Sequence, residues 1–207
     1  MLPELLKHGG VMMWLLLVTG GVGVAVFVER LLHYHREQIN SIEFINGVRN
    51  VLRRDNVVEA LSICDATPGP VARLVKTAIL NRERGRDGVR ESLEEAGLLE
   101  VPRLEEKLNL LATIAQIAPI MGLLGTVLGF VSVFRVLQTL GVSAPAGYLA
   151  GGVWQALVCT GAGLAVSIPA YAGYNYLVSR VNSIVLDMEK ASAEILNLLS
   201  PNRGSNA

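Results

Sequence analysis

Three stretches of this chain carry no charged residue, and they decide what it can fold into. They run from Gly9 to Val28, from Leu108 to Phe134 and from Val136 to Ser179, which is 20, 27 and 44 residues. As helices rising about 1.5 Å per residue they reach roughly 30, 40 and 66 Å, against a hydrocarbon core of about 30 Å. The first two each suit one membrane crossing, and the third is too long for one. The charge balance hides this division. Lys plus Arg and Asp plus Glu cancel at 18 each, and thirteen of either sign lie between Arg30 and Lys107. With no net positive charge and no basic block longer than Arg53-Arg54, nucleic acid is excluded as a partner.

Something must break the third run, and Gly141, Pro145 and Gly147 cluster near its start, so Gln138 to Gly147 reads as a short connection. From about Tyr148 a helix runs on past Arg180 and ends near Leu199. Pro119 and Pro169 fall inside helical stretches and read as kinks. The first run is an uncleaved span, because it exceeds a usual signal-peptide core and reaches Glu29-Arg30 without an A-x-A site. Basic residues then set orientation: thirteen in the 30 to 107 segment and three in the tail, against Lys7 and Arg135 on the other side. The expected fold is an all-α integral membrane protein with three transmembrane helices, N-terminus out and C-terminus in. Its divisions are a periplasmic N-terminus (1–8), spans at 9–28, 108–134 and 148–179, a cytoplasmic helical segment (29–107), a periplasmic connection (135–147) and a cytoplasmic helix and tail (180–207). Trp14 and Tyr148 then sit near the outer interface, and Tyr174 and Tyr176 near the inner one.

The charged segment is helical in pattern. Phe44, Val48, Val51, Leu52, Val58 and Leu61 keep helical spacing over Ser41 to Ile63, and Val71 to Leu80 repeats it after the stop at Thr67-Pro68-Gly69-Pro70. Gly88 to Leu111 continues, weakly interrupted at Gly97 and Pro102, directly into the second span, so that the membrane helices extend into a cytoplasmic helical collar. Cys64 and Cys159 read as small buried residues rather than a disulfide or metal site. His33 and His35 at the membrane exit read as solvated. Pro201 to Ala207 reads as a frayed polar tail.

Within the spans the small residues are ordered. Gly122, Gly125, Thr126 and Gly129 line one face of the second span, and Ala156, Thr160, Gly163 and Ser167 line one face of the third. Such stripes serve close helix packing, with each hydroxyl satisfied by a backbone carbonyl. Two matched stripes, each with a mid-span threonine, also suit the wall of an ion pathway. Gln155 adds an amide one turn from Thr160, and burying it unpaired costs on the order of 2–7 kcal/mol, so it must face water, a partner or another helix. None of the three runs contains Asp, Glu, Lys, Arg or His. Proton relays carry an ionisable group inside the membrane, so a partner must supply it. No nucleophile or acid–base pair lies in the spans, which excludes a membrane enzyme.

The third span, with Ala150-Gly151-Gly152-Val153-Trp154-Gln155-Ala156-Leu157, Cys159-Thr160-Gly161-Ala162-Gly163-Leu164, Ile168-Pro169-Ala170 and Tyr174-Asn175, resembles the MotA/TolQ/ExbB proton-channel family. The second agrees, with Leu111-Ala112-Thr113-Ile114-Ala115 leading to Ala118-Pro119 and Gly122-Leu123-Leu124-Gly125-Thr126-Val127. The match is strongest over Leu108 to Tyr176. The resemblance implies a subunit of the bacterial inner membrane, without cofactor or enzymatic activity, that converts proton-motive force into mechanical work on envelope partners. It implies a homopentamer around a dimer of a single-span partner similar to ExbD or TolR, whose membrane aspartate binds the proton, with a TonB- or TolA-like protein spanning the periplasm. Carried over by position, Thr126 and Thr160 match the family's pore threonines. Gln155 departs from the glutamate common at that position in relatives, and an amide cannot release a proton near neutral pH. A sodium-driven version of the same motor and a passive helical scaffold are the alternatives.

Overall fold

The computed structural model describes residues 10–37, 41–141 and 145–199. Among these residues seven α-helices follow in order: α1 (Gly10–Glu37), α2 (Ser41–Leu52), α3 (Val57–Ala66), α4 (Pro70–Leu80), α5 (Gly85–Glu105), α6 (Leu108–Leu140) and α7 (Ala146–Leu199), with one 3-10 turn at Arg82–Arg84. No strand occurs among the described residues. Three of the helices are long and apolar enough to cross a membrane. The expected periplasmic N-terminus, with Lys7, and the polar tail lie outside the described residues, as does the side chain of His35.

Three boundaries differ from those the sequence predicts. The 41–63 segment is two helices, not one: Asp55 adopts φ 56°, and Asn56 caps α3 by accepting the Glu59 N–H at 3.3 Å. The long helix expected to enter the second span is broken neither at Gly97 nor at Pro102. It ends at Glu105, and Lys107 sits in the left-handed region at φ 64° before α6 begins. The expected connection over 138–147 is shorter, because α6 continues to Leu140 and α7 starts at Ala146. There Gly141, at φ 60°, closes α6 by donating its N–H to Leu137 O. Pro70 falls at the first turn of α4, where its missing N–H costs nothing.

The chain forms two compact units. The first comprises Met1–Arg30 and Lys107–Leu177. In it α1, α6 and α7 pack around Leu16, Leu111, Ala118, Ala156 and Leu177, all fully buried. Glycines set the approach of α1: a methyl added at Gly20 would lie 3.1 Å from Val166, and one at Gly23 3.4 Å from Ile114. Outward-facing residues are large and apolar, including Trp14, Val24, Leu123, Phe134, Leu157 and Ile168. Such a surface is stable against hydrocarbon and not against water. Hydroxyls are satisfied within the helices: Thr113 donates to Asn109 O at 2.7 Å and Ser132 to Gly129 O at 2.6 Å. At one end of the unit, Lys107 pairs with Glu29 of α1.

The second unit comprises Leu31–Glu106 and Val178–Ala207. Its core draws Val48 from α2, Ala60 from α3, Val75 and Ile79 from α4, Leu104 from α5 and Ile195 from the end of α7. The Tyr34 hydroxyl donates to Leu104 O, and Arg49 pairs with Glu194 at 2.8 Å. Glu100 is almost wholly buried yet ionic, because Arg73 reaches one of its oxygens at 2.7 Å and Arg103 the other at 3.0 Å. Cys64 is buried beside Asp65, and that desolvation and negative neighbour push its thiol pKa up to about 11.

Candidate functional site

The small-residue faces of α6 and α7 meet each other within one chain. A methyl added at Gly122 would lie 2.9 Å from Cys159 O and 3.1 Å from the Cα of Gly163. One at Gly163 would lie 2.7 Å from Ala118 O, and one at Gly129 2.9 Å from the Cβ of Ala156. Gly125 faces the Cys159 side chain, whose Cβ stands 2.6 Å from where a methyl would go. Backbone approaches this close are open only to glycine, and Gly122, Gly125, Gly129 and Gly163, with Ala156 facing Gly129, form a contact between the two helices. Cys159 is itself part of the seam, a role its sequence position did not reveal.

Among the polar groups of the seam are two threonines and a serine. The Thr126 and Thr160 hydroxyls are hydrogen-bonded to each other. Thr126 Oγ1 also lies 3.2 Å from Gly122 O in its own helix and 3.1 Å from Ala156 O in the neighbouring one. Two hydroxyls bring two protons to this cluster, so one donates to its neighbour and the other is free for a carbonyl. Lone pairs remain on the oxygens, and both residues are half-buried, so each keeps an edge outside the seam. On the other side of the glycine contact, the Ser167 hydroxyl donates to Ala115 O at 2.7 Å. The predicted site residues are thus brought together, apart from Gln155. That residue is half-buried beside Ala156, and its amide has no hydrogen-bond partner among the described residues.

The two prolines sit inside their helices, Pro119 in α6 and Pro169 in α7. Sequence reasoning did not foresee the cavity of about 370 Å³ beside Pro169. Its walls include Gly20, Gly21 and Phe27 of α1, Ile114 of α6 and Val166 of α7, all apolar. The signal for it was the Gly20-Gly21-Val22-Gly23 run in the first span, which reads equally well as plain helix packing.

Comparison with known proteins agrees with this architecture. Residues 66–190 match the model of the MotA/TolQ/ExbB proton channel family, which extends the similarity beyond the two spans into the second unit. A protein of Methanothermobacter thermautotrophicus with the provisional name of biopolymer transport protein ExbB homolog is 30% identical over 188 residues, 90% of this chain and 66% of that protein. The Tol-Pal system protein TolQ of Haemophilus influenzae is 37% identical over 105 residues, 48% of this chain and 43% of that protein. The biopolymer transport protein ExbB of Xanthomonas campestris pv. campestris is 40% identical over 98 residues, 47% of this chain and 38% of that protein. The chain thus spans just under two thirds of the first of these relatives and less than half of the other two. The family match covers more than half of the sequence, and three apolar helices with a threonine-bearing seam accompany it: this chain belongs to the MotA/TolQ/ExbB proton channel family.

Proposed function

We propose that this chain is the channel subunit of an inner-membrane complex that converts proton-motive force into mechanical work on envelope partners, as its ExbB and TolQ relatives are named for transport and for the Tol-Pal system. The observation that carries the reading is a combination. The spans pair Thr126 with Thr160 at mid-span and contain no Asp, Glu, Lys, Arg or His. A hydroxyl passes or orients a proton through hydrogen bonds but does not store it as a charge at neutral pH. The storing group therefore belongs to a second chain, which we assign to a single-span partner of the ExbD or TolR kind with a membrane aspartate. A TonB- or TolA-like protein would carry the work across the periplasm. The half-exposed edges of Thr126 and Thr160 suit a pathway completed by such a partner inside a ring of copies, for which the family resemblance gives five. Orientation follows the basic residues, with the N-terminus outside and the collar and tail in the cytoplasm.

The test is reconstitution in vesicles with a proton gradient. The chain alone should carry no proton flux, and adding the single-span partner should start it. A version of the partner with its aspartate replaced by asparagine should not. Flux through the chain alone would overturn the assignment, sodium-dependent flux without a proton gradient would change the ion, and no flux in any arm would leave a passive scaffold.

A further inference from the structure

A proline inside a helix removes one hydrogen bond, and its location is fixed by arithmetic. Pro119 has no N–H, so the carbonyl four residues earlier, that of Ala115, loses its helical donor. In hydrocarbon such a carbonyl has no water to turn to. Ala115 is buried, so neither lipid headgroups nor solvent reach it. The structure fills the vacancy from another helix: the Ser167 hydroxyl of α7, 52 residues away in sequence, donates to Ala115 O at 2.7 Å. A serine in mid-helix ordinarily spends its proton on the carbonyl four residues before it, as Ser183 does with Ser179 O in this same helix. Ser167 instead spends it across the seam.

The position of this bond gives it a function. Along α6 the order is Ala115, Pro119, Gly122, Thr126, and along α7 it is Ser167, Gly163, Thr160 in the opposite direction. The Gly122–Gly163 contact lies between the two polar links, with Ser167–Ala115 on one side and Thr126–Thr160 on the other. Proline leaves a helix free to bend at its joint. We propose that Ser167 is a positioning residue: by supplying the donor that Pro119 withholds, it clamps the proline joint of α6 onto α7 and so sets the register that brings Thr126 to Thr160. Its effect on ion flux rests on the function proposed above, whereas the clamp itself does not.

The test is a double-mutant comparison with two carbonyl reporters in the full-length, membrane-embedded protein. Ala115-Gln116 and Gly125-Thr126 are each the sole Ala-Gln and Gly-Thr pair in the sequence. Labelling carbonyl carbon on the first residue type and amide nitrogen on the second therefore gives one solid-state NMR cross-peak per site. Ser167→Ala should move the Ala115 carbonyl upfield, the direction of a lost hydrogen bond, and should shift the Thr126 amide as well. The clamped arrangement should weaken by about fivefold in equilibrium constant, the factor expected of one neutral hydrogen bond. In a Pro119→Ala background, Ala115 regains its helical donor at residue 119, and adding Ser167→Ala should then move neither reporter. An unmoved Ala115 carbonyl in Ser167→Ala overturns the clamp. Equal shifts in both backgrounds overturn its link to the proline, and a Thr126 amide that stays in place overturns the positioning role. If wild-type vesicles carry no flux while the reporters behave as stated, the proposed function fails and the clamp stands.

Discussion

The Thr126 hydroxyl on α6 meets the Thr160 hydroxyl on α7, with the Ala156 carbonyl 3.1 Å from Thr126 Oγ1 to accept a hydrogen bond. Removing one hydroxyl should therefore have two separable effects. Thr126→Val keeps the shape and loses the bonds, at a cost of about 1 kcal/mol in thermal unfolding of the detergent-solubilised protein. Proton flux in vesicles with the partner should fall far more than that cost accounts for. Thr126→Ser, which keeps the hydroxyl, should retain both stability and flux.

The glycine contacts predict a contrast between positions one helical turn apart or less. Gly163→Ala places a methyl 2.7 Å from Ala118 O, and backbone cannot swing aside as a side chain can. Overpacking of this kind costs about 1–3 kcal/mol. Gly161→Ala meets nothing within 4 Å and should be neutral or gain up to about 1 kcal/mol from helix propensity. Thermal unfolding of the two variants side by side checks the difference.

Much of this seam is legible from residue order, because spacing of three and four residues fixes which side chains share a helical face whatever the helix packs against. Thr126, Gly129, Thr160 and Gly163 could be placed that way, but the face each stripe would meet could not. The break at Asp55 was also written in the sequence, since Asn56 and Glu59 have the spacing of a capping pair and Asn56 Nδ2 donates to Glu59 at 2.7 Å. The break at Lys107 was not. Lysine has no preference for φ 64°, and the conformation accompanies an ion pair to Glu29, 78 residues away. Pro102 misled in the opposite sense, lying inside α5 without ending it.

Cys64 should be a slow thiol. Its pKa, raised from the ordinary 9.0 to about 11, leaves little thiolate at neutral pH, and its side chain is only 4% exposed. Alkylation of the native protein at pH 7.5 should lag well behind that of the denatured protein. The folded form holds this proton more tightly than the unfolded form. Its contribution to stability is therefore intact below pH 9 and is lost as pH rises toward about 11, which alkaline unfolding of wild type against Cys64→Ala would read. A topology reporter is better placed at an exposed position of α5, such as Glu91→Cys.

Glu100 is held by two guanidinium groups, and its side chain is 7% exposed against 46% for Arg73. Arg73→Ala strands part of a buried carboxylate, so it should destabilise the protein by about 1–3 kcal/mol. Glu100→Gln keeps the shape with hydrogen-bonding capacity and should cost less. Denaturant titration of the detergent-solubilised protein, following helical ellipticity, ranks the two.

Gln155 separates a polar role from a protonic one. Gln155→Leu should lower flux if the amide orients water or the partner, while Gln155→Glu should introduce a pH dependence that the wild type lacks at this position. Flux equal to wild type in the leucine variant would remove any polar role for the side chain.

The charge-free spans have an electrical consequence. A membrane potential does work only on charge that moves through it, about 2.3 kcal/mol for each elementary charge per 100 mV. Residues 9–28, 108–134 and 136–179 hold no formal charge. On these stretches the field exerts no net force through side-chain charge. On the function proposed above, the voltage therefore acts on the travelling ion and on the chain that binds it, and this subunit serves as insulation, a neutral wall beside the path of the ion.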